Sequence, residues 1–165
     1  MWTTKNKKLM IKKTLLFLFL SPFAESLENI YKNCDDIELF FISPMDGFQS
    51  NSNDFKVEFG VKNIVISPAG IEVKKTKECH VSGHHHLIIN ESYDVITNKD
   101  LPIPFERNVL HFGGGQTEAT LSLPAGKYTL QLVLGDYEHK PIKPLRSNQL
   151  DNPIVSNKIN IEILP

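Results

Sequence analysis

Apolar and polar residues alternate along much of this chain, and no long stretch keeps a helical period. Phe55-Lys56-Val57-Glu58-Phe59-Gly60-Val61 repeats every second residue, the mark of a strand with one buried face. Glu118 to Leu123 does the same, with Ala119, Leu121 and Leu123 on one side. So do Tyr128 to Leu134, with Tyr128, Leu130, Leu132 and Leu134 together, and Val155 to Leu164, with Ile159, Ile161 and Ile163 together. Ile37 to Ile42 and His85 to Ile89 read as strands from their apolar runs, and Ile71 to Val73 and Asn108 to Phe112 as brief ones. Turn compositions separate them: Ser43-Pro44-Met45-Asp46-Gly47, Ser67-Pro68-Ala69-Gly70 and Pro124-Ala125-Gly126. Asn90 to Arg107, with Pro102 and Pro104, and the polar, proline-rich Tyr137 to Pro153 read as loops. About seven short strands with turns between them predict an all-β protein, an antiparallel β-sandwich. Tyr128 begins a late strand, as a corner tyrosine of such a fold would; an ordinary aromatic core residue fits the position equally.

The N-terminus breaks this pattern. Lys5, Lys7, Lys8, Lys12 and Lys13 precede Leu15-Leu16-Phe17-Leu18-Phe19-Leu20, and Ser21-Pro22-Phe23-Ala24 follows. A basic region, a short apolar core and a small residue describe a secretory signal peptide over 1–24, and Met10 would serve as an alternative start. The run is short for a bilayer span, so the competing reading is a short anchor. A polar lead-in over 25–36 and a sandwich domain over 37–165 complete the expected organisation, with export to the periplasm or the extracellular space. No membrane span is expected once the signal is removed. The whole chain has 18 basic and 19 acidic residues; loss of 1–24 removes five lysines and no acid, which leaves 13 against 19. An acidic remainder argues against nucleic acid as a partner. Cys34 and Cys79 are the only cysteines, and in an oxidising compartment they permit one disulfide. Two unpaired thiols, or a metal-binding role for Cys79-His80, are the alternatives.

Five of the six histidines fall in three places: the triplet His84-His85-His86, His111 before Gly113-Gly114-Gly115, and His139 after Gly135-Asp136. In an extended strand His84, His86 and Ile88 share one face, and His85, Leu87 and Ile89 share the other. His84 and His86 are a chelating pair that needs further ligands, for which His111 and His139 are the candidates. Neutral imidazoles suit copper and zinc ions. His85, Gln116, Glu118 and Asp136 are expected in support, the carboxylates as acceptors for histidine N–H groups. Two other uses of the same residues stay open: a structural hydrogen-bond network and a pocket for a small polar ligand. The glycine triplet reads as a tight bend beside His111 rather than a phosphate loop, because no Lys-Ser/Thr pair follows it. No Gly-x-Ser-x-Gly elbow, dinucleotide fingerprint or cysteine-pair zinc motif is present. Whether the chain is an enzyme stays open, with a non-catalytic role preferred.

Gly83-His84-His85-His86-Leu87-Ile88-Ile89, Leu101-Pro102-Ile103-Pro104 and Leu110-His111-Phe112-Gly113-Gly114-Gly115-Gln116-Thr117-Glu118 form an ordered set. With Leu130-Gln131-Leu132-Val133-Leu134-Gly135-Asp136, His139 and Pro141, that set resembles the bacterial domain of unknown function family 4399. The similar region runs from about Ile37 to Ile163. The resemblance implies an exported, immunoglobulin-like single domain and no established activity. Asn90 stands where the family often has an acidic residue, and Ile142 where it often has a histidine. Two functional classes follow. One is an exported binding module that holds copper or zinc through His84, His86, His111 and His139. The other is a non-catalytic interaction domain for a cell-envelope partner, with the histidines structural.

Overall fold

A computed structural model describes residues 36–73, 81–143 and 152–165. The expected signal peptide, Cys34, Cys79 and His80 lie outside them. The described residues form β1 (Glu38–Ser43), β2 (Phe48–Ser50), β3 (Asp54–Lys62), β4 (Ile64–Ile66), β5 (Val81–Ile89), β6 (Val109–His111), β7 (Glu118–Ser122), β8 (Gly126–Gly135) and β9 (Ile159–Ile163). None of the described residues is helical, and no helix among them is long and apolar enough to cross a membrane.

One sheet has the order β1-β3-β7. The other runs β2-β9-β8-β5-β4, with β6 paired to β5. β1, β3 and β7 facing β9, β8 and β5 is the A-B-E over G-F-C arrangement of an immunoglobulin-like sandwich. The alternating residues supply its core. Phe55, Val57 and Phe59 of β3 meet Leu87 and Ile89 of β5, Leu130, Leu132 and Leu134 of β8, and Ile159, Ile161 and Ile163 of β9. Each such side chain contributes about 1.5–3 kcal/mol by leaving water. On the opposite face of β3, Lys56 pairs with Glu118 of β7 at 2.9 Å in solvent. Tyr128 is a corner tyrosine: its hydroxyl donates to the Pro124 carbonyl at 2.8 Å.

β5 differs from the other strands because both of its faces are covered, and only Val81 and Ser82 are partly accessible. Its inner face joins the sandwich core. Over its outer face folds the segment 90–108, whose Val95 and Ile103 pack with Ile88, Val109 and Val133 as a second, smaller core. A strand covered on both sides loses the polar-apolar alternation of a half-exposed one.

Ile71–Val73 is not a strand. Gly70 takes a left-handed φ of 74°, its N–H donates to the Tyr137 carbonyl, and Ile71 is left exposed. Strand pairing falls instead to Ile64–Ile66, parallel to the start of β5, and to Phe48–Ser50, parallel to β9.

Candidate metal centre

β5 runs extended through the histidine triplet, so its pleat divides the three rings. His84 and His86 project from the outer face, where both are fully buried. His111 closes β6 directly opposite His86 in the antiparallel register, and the two rings stack at 4.9 Å and 29°. His139 comes from the turn after β8. Asp136 builds that turn: its Oδ1 accepts the N–H groups of Glu138 at 2.8 Å and Lys140 at 2.9 Å. Its carbonyl accepts from His139 at 3.0 Å, and the His139 carbonyl accepts from Ile103 at 2.7 Å. His139 itself adopts φ 68°, the left-handed conformation that aims its ring back over the sheet.

These three segments bring the four imidazoles together. Ring centroids lie 4.8 Å apart for His84–His86, 4.9 Å for His84–His111, 5.0 Å for His84–His139 and 4.8 Å for His111–His139. One ligand nitrogen from each residue lies within 4.8 Å of those of the other three, close enough to hold a metal ion. Nε2 of His111 and Nε2 of His139 are 3.1 Å apart. Two glycines provide the room. Gly135 lies opposite His84 in the register, and a Cβ there would stand 2.7 Å from Cε1 of His86. A Cβ on Gly113 would overlap the His111 ring.

Burial favours the neutral form of His84, His86 and His111. It pushes His84 down to about 4, with His111 and His139 adding like-charge repulsion. His86 falls to about 2, again mainly by burial, then by repulsion from His84, His111 and His139. His111 is lowered by burial and by His139. Three nitrogens in the inner half, Nδ1 and Nε2 of His84 and Nδ1 of His86, have no hydrogen-bond partner among the described residues. Leaving a buried polar atom unsatisfied costs about 1–3 kcal/mol, and an ion would relieve one such nitrogen on each of these two rings.

The expected supporting residues divide. His85 lies on the other side of the sheet, its ring 5.0 Å from that of Phe59 in the sandwich core. Its Nδ1 is 3.1 Å from the Gln116 carbonyl. A carbonyl only accepts, so Nδ1 carries the proton and Nε2 the lone pair, which has no partner among the described residues. Burial lowers His85 to about 4, against the stabilising pull of that carbonyl. His85 and Gln116 therefore pair with each other rather than with the four-histidine group; strand alternation sends His85 to the inner face, where it holds the end of the glycine bend. The Gln116 side chain stays local, with Oε1 accepting from the Gly114 N–H at 2.9 Å. Glu118 is also remote. β7 belongs to the other sheet, and Glu118 pairs there with Lys56. Asp136 orders the turn that carries His139, through backbone N–H groups rather than an imidazole.

Some contributors are not among the expected site residues. Ile103 lies in the segment read as loop, and its position beside His86 comes from the second core. Phe105 stands at the rim, 85% exposed, with its ring edge-on to His111 at 6.2 Å and 88°. Only the prolines on either side of Ile103 distinguish this stretch. The two departures from the family pattern have local explanations. Asn90, at φ 56°, accepts the Thr129 N–H on its side-chain oxygen, and Ile142 packs against the sandwich core.

The profile of the family described as "Domain of unknown function (DUF4399)" matches residues 57–163, and the chain belongs to that family. No curated protein and no solved structure matches it.

Proposed function

From membership of a family whose description names no activity, we propose that this domain is an exported binding module for one transition-metal ion, copper or zinc. His84, His86, His111 and His139 are its ligands. The observation that carries this reading is the convergence of four imidazoles from three separate segments, with ligand atoms within 4.8 Å of one another. Two metal–nitrogen bonds of about 2.0–2.1 Å at a tetrahedral angle place their nitrogens roughly 3.3 Å apart. The 3.1 Å between His111 and His139 is close to that spacing. A purely structural network would use that pair as donor and acceptor, yet it would leave the inner nitrogens of His84 and His86 unsatisfied.

Four protein ligands fill a tetrahedral shell, whereas catalytic zinc sites keep a position open. That supports a non-catalytic role. Export rests on the basic and then apolar N-terminus, with a signal peptide over 1–24 and a lead-in over 25–36 ahead of the domain.

Elemental analysis of protein expressed without a histidine tag tests the reading. About one equivalent of metal per chain is expected, with loss on His111→Ala. Metal-free wild-type protein after exposure to copper and zinc would leave the structural network as the better account.

A further inference from the structure

Imidazoles are neutral donors, so an ion among them keeps its full formal charge. The group contains only histidines among the described residues. Asp136 spends Oδ1 on the turn, and Glu118 pairs with Lys56 on the other sheet. The inner half of the site is also closed to solvent and apolar. His84 and His86 are fully buried, on the face where Ile88, Ile103, Val109 and Val133 form the second core. Ile103 Cδ1 is 3.3 Å from the point where a Cβ on Gly135 would sit, beside the His86 ring. The Born cost of burying an ion grows with the square of its charge. A divalent ion therefore loses about four times as much hydration free energy as a monovalent ion of equal size.

Ring basicity points the same way. A metal-bound imidazole usually gives its second N–H to a carboxylate or carbonyl, which strengthens its donation to the metal. Neither nitrogen of His84 has such a partner among the described residues. Whichever nitrogen binds the ion, the other is left without an acceptor, and His84 is a weak donor. A neutral ligand set with one weak donor, in an apolar setting, stabilises the lower oxidation state of a metal that has two.

We propose that the site selects copper as Cu(I) over Cu(II) and Zn(II). This rests on the metal-binding reading above and narrows it from copper or zinc to one ion in one charge state.

The test uses untagged protein titrated with Cu(I) under anaerobic conditions with ascorbate, with Cu(II), and with Zn(II), each against a chromophoric chelator. The potential of the bound copper couple is then compared with that of copper in excess imidazole in the same buffer. Cu(I) should be preferred over Cu(II) by about a hundredfold more than in the imidazole reference, a potential about 118 mV more positive at 59 mV per tenfold. A potential at or below the reference, or Zn(II) held more tightly than Cu(I), overturns the proposal while leaving metal binding intact. Failure of all three ions to bind removes both readings. Phe105→Asp places a carboxylate at an exposed rim position beside His111, and Phe105→Leu controls for the lost ring contact. It should lower the potential relative to Phe105→Leu, and equal potentials in the two variants count against the electrostatic basis.

Discussion

The two faces of β5 put the same side chain into two environments one residue apart. On the inner face His85 lies against Phe59, held by one carbonyl and surrounded by the sandwich core. On the outer face His84 and His86 meet other imidazoles, on the side of the sheet that carries the small second core. All three are fully buried and pushed toward the neutral form, yet only the outer pair belongs to a group that could share an ion. Burial and lowered basicity thus do not identify a ligand. What distinguishes the outer rings is the number of converging nitrogens, which strand alternation and the return of β6 and the 136–140 turn decide.

The sharpest way to break this comparison is to remove one ring from each face. His86→Leu should weaken metal binding by about a thousandfold, beyond the roughly 10–100-fold typical of outer partners. His85→Leu should leave affinity within about tenfold, because the lost contact supports only the glycine bend. Equal losses in the two variants, read by chelator competition, would remove the distinction between the faces.

Acid should act on both faces before it reaches the carboxylates. His84, His85, His86 and His111 have folded-state values below 6.5, so the unfolded chain binds more protons as pH falls below that point. Stability is therefore full above about pH 6.5 and is lost toward about pH 4. The metal-free protein should lose about 10 °C of melting temperature between pH 7 and pH 5. The double variant His84→Leu/His86→Leu should lose less, and an unchanged slope would assign the effect elsewhere. Asp46 and Asp94 are lowered by their hydrogen bonds to Asn160 and Thr97, and their contribution disappears only below the ordinary 3.8.

Smaller effects refine the same contrast. Gly135→Ala should force the His86 ring aside, at about 1–3 kcal/mol of stability by urea titration, with weaker metal binding. Glu118→Gln should change stability by less than about 0.5 kcal/mol and leave metal content unaltered, since its exposed ion pair with Lys56 lies on the other sheet. A metal-content change in that variant would show that the sheets communicate.

Much of the frame was legible in the sequence. β3, β7, β8 and β9 follow directly from period-two patterns, and alternation alone separated His85 from its neighbours. His111 and His139 were marked by the adjacent glycines, which make space for rings. Other parts were hidden for physical reasons. β2 and β4 have three residues each, too few to show a period, and they pair in parallel with strands distant in sequence. Ile71 and Val73 are apolar but find no sheet. Glu118 is close to His111 along the chain, but the chain crosses to the opposite sheet before it is reached. The burial of Val95 and Ile103 arises from tertiary packing that no local pattern encodes.

The ligand candidates come from a central strand, a short strand beyond the 90–108 cover, and a turn further on. An ion held there would act as a cross-link between stretches that are remote along the polypeptide. Such a clip limits how far the covering segment can lift away, in the way any tie across a long loop does. Metal loading should accordingly register as slower amide exchange and greater protease resistance over 90–108, far beyond the atoms that touch the ion.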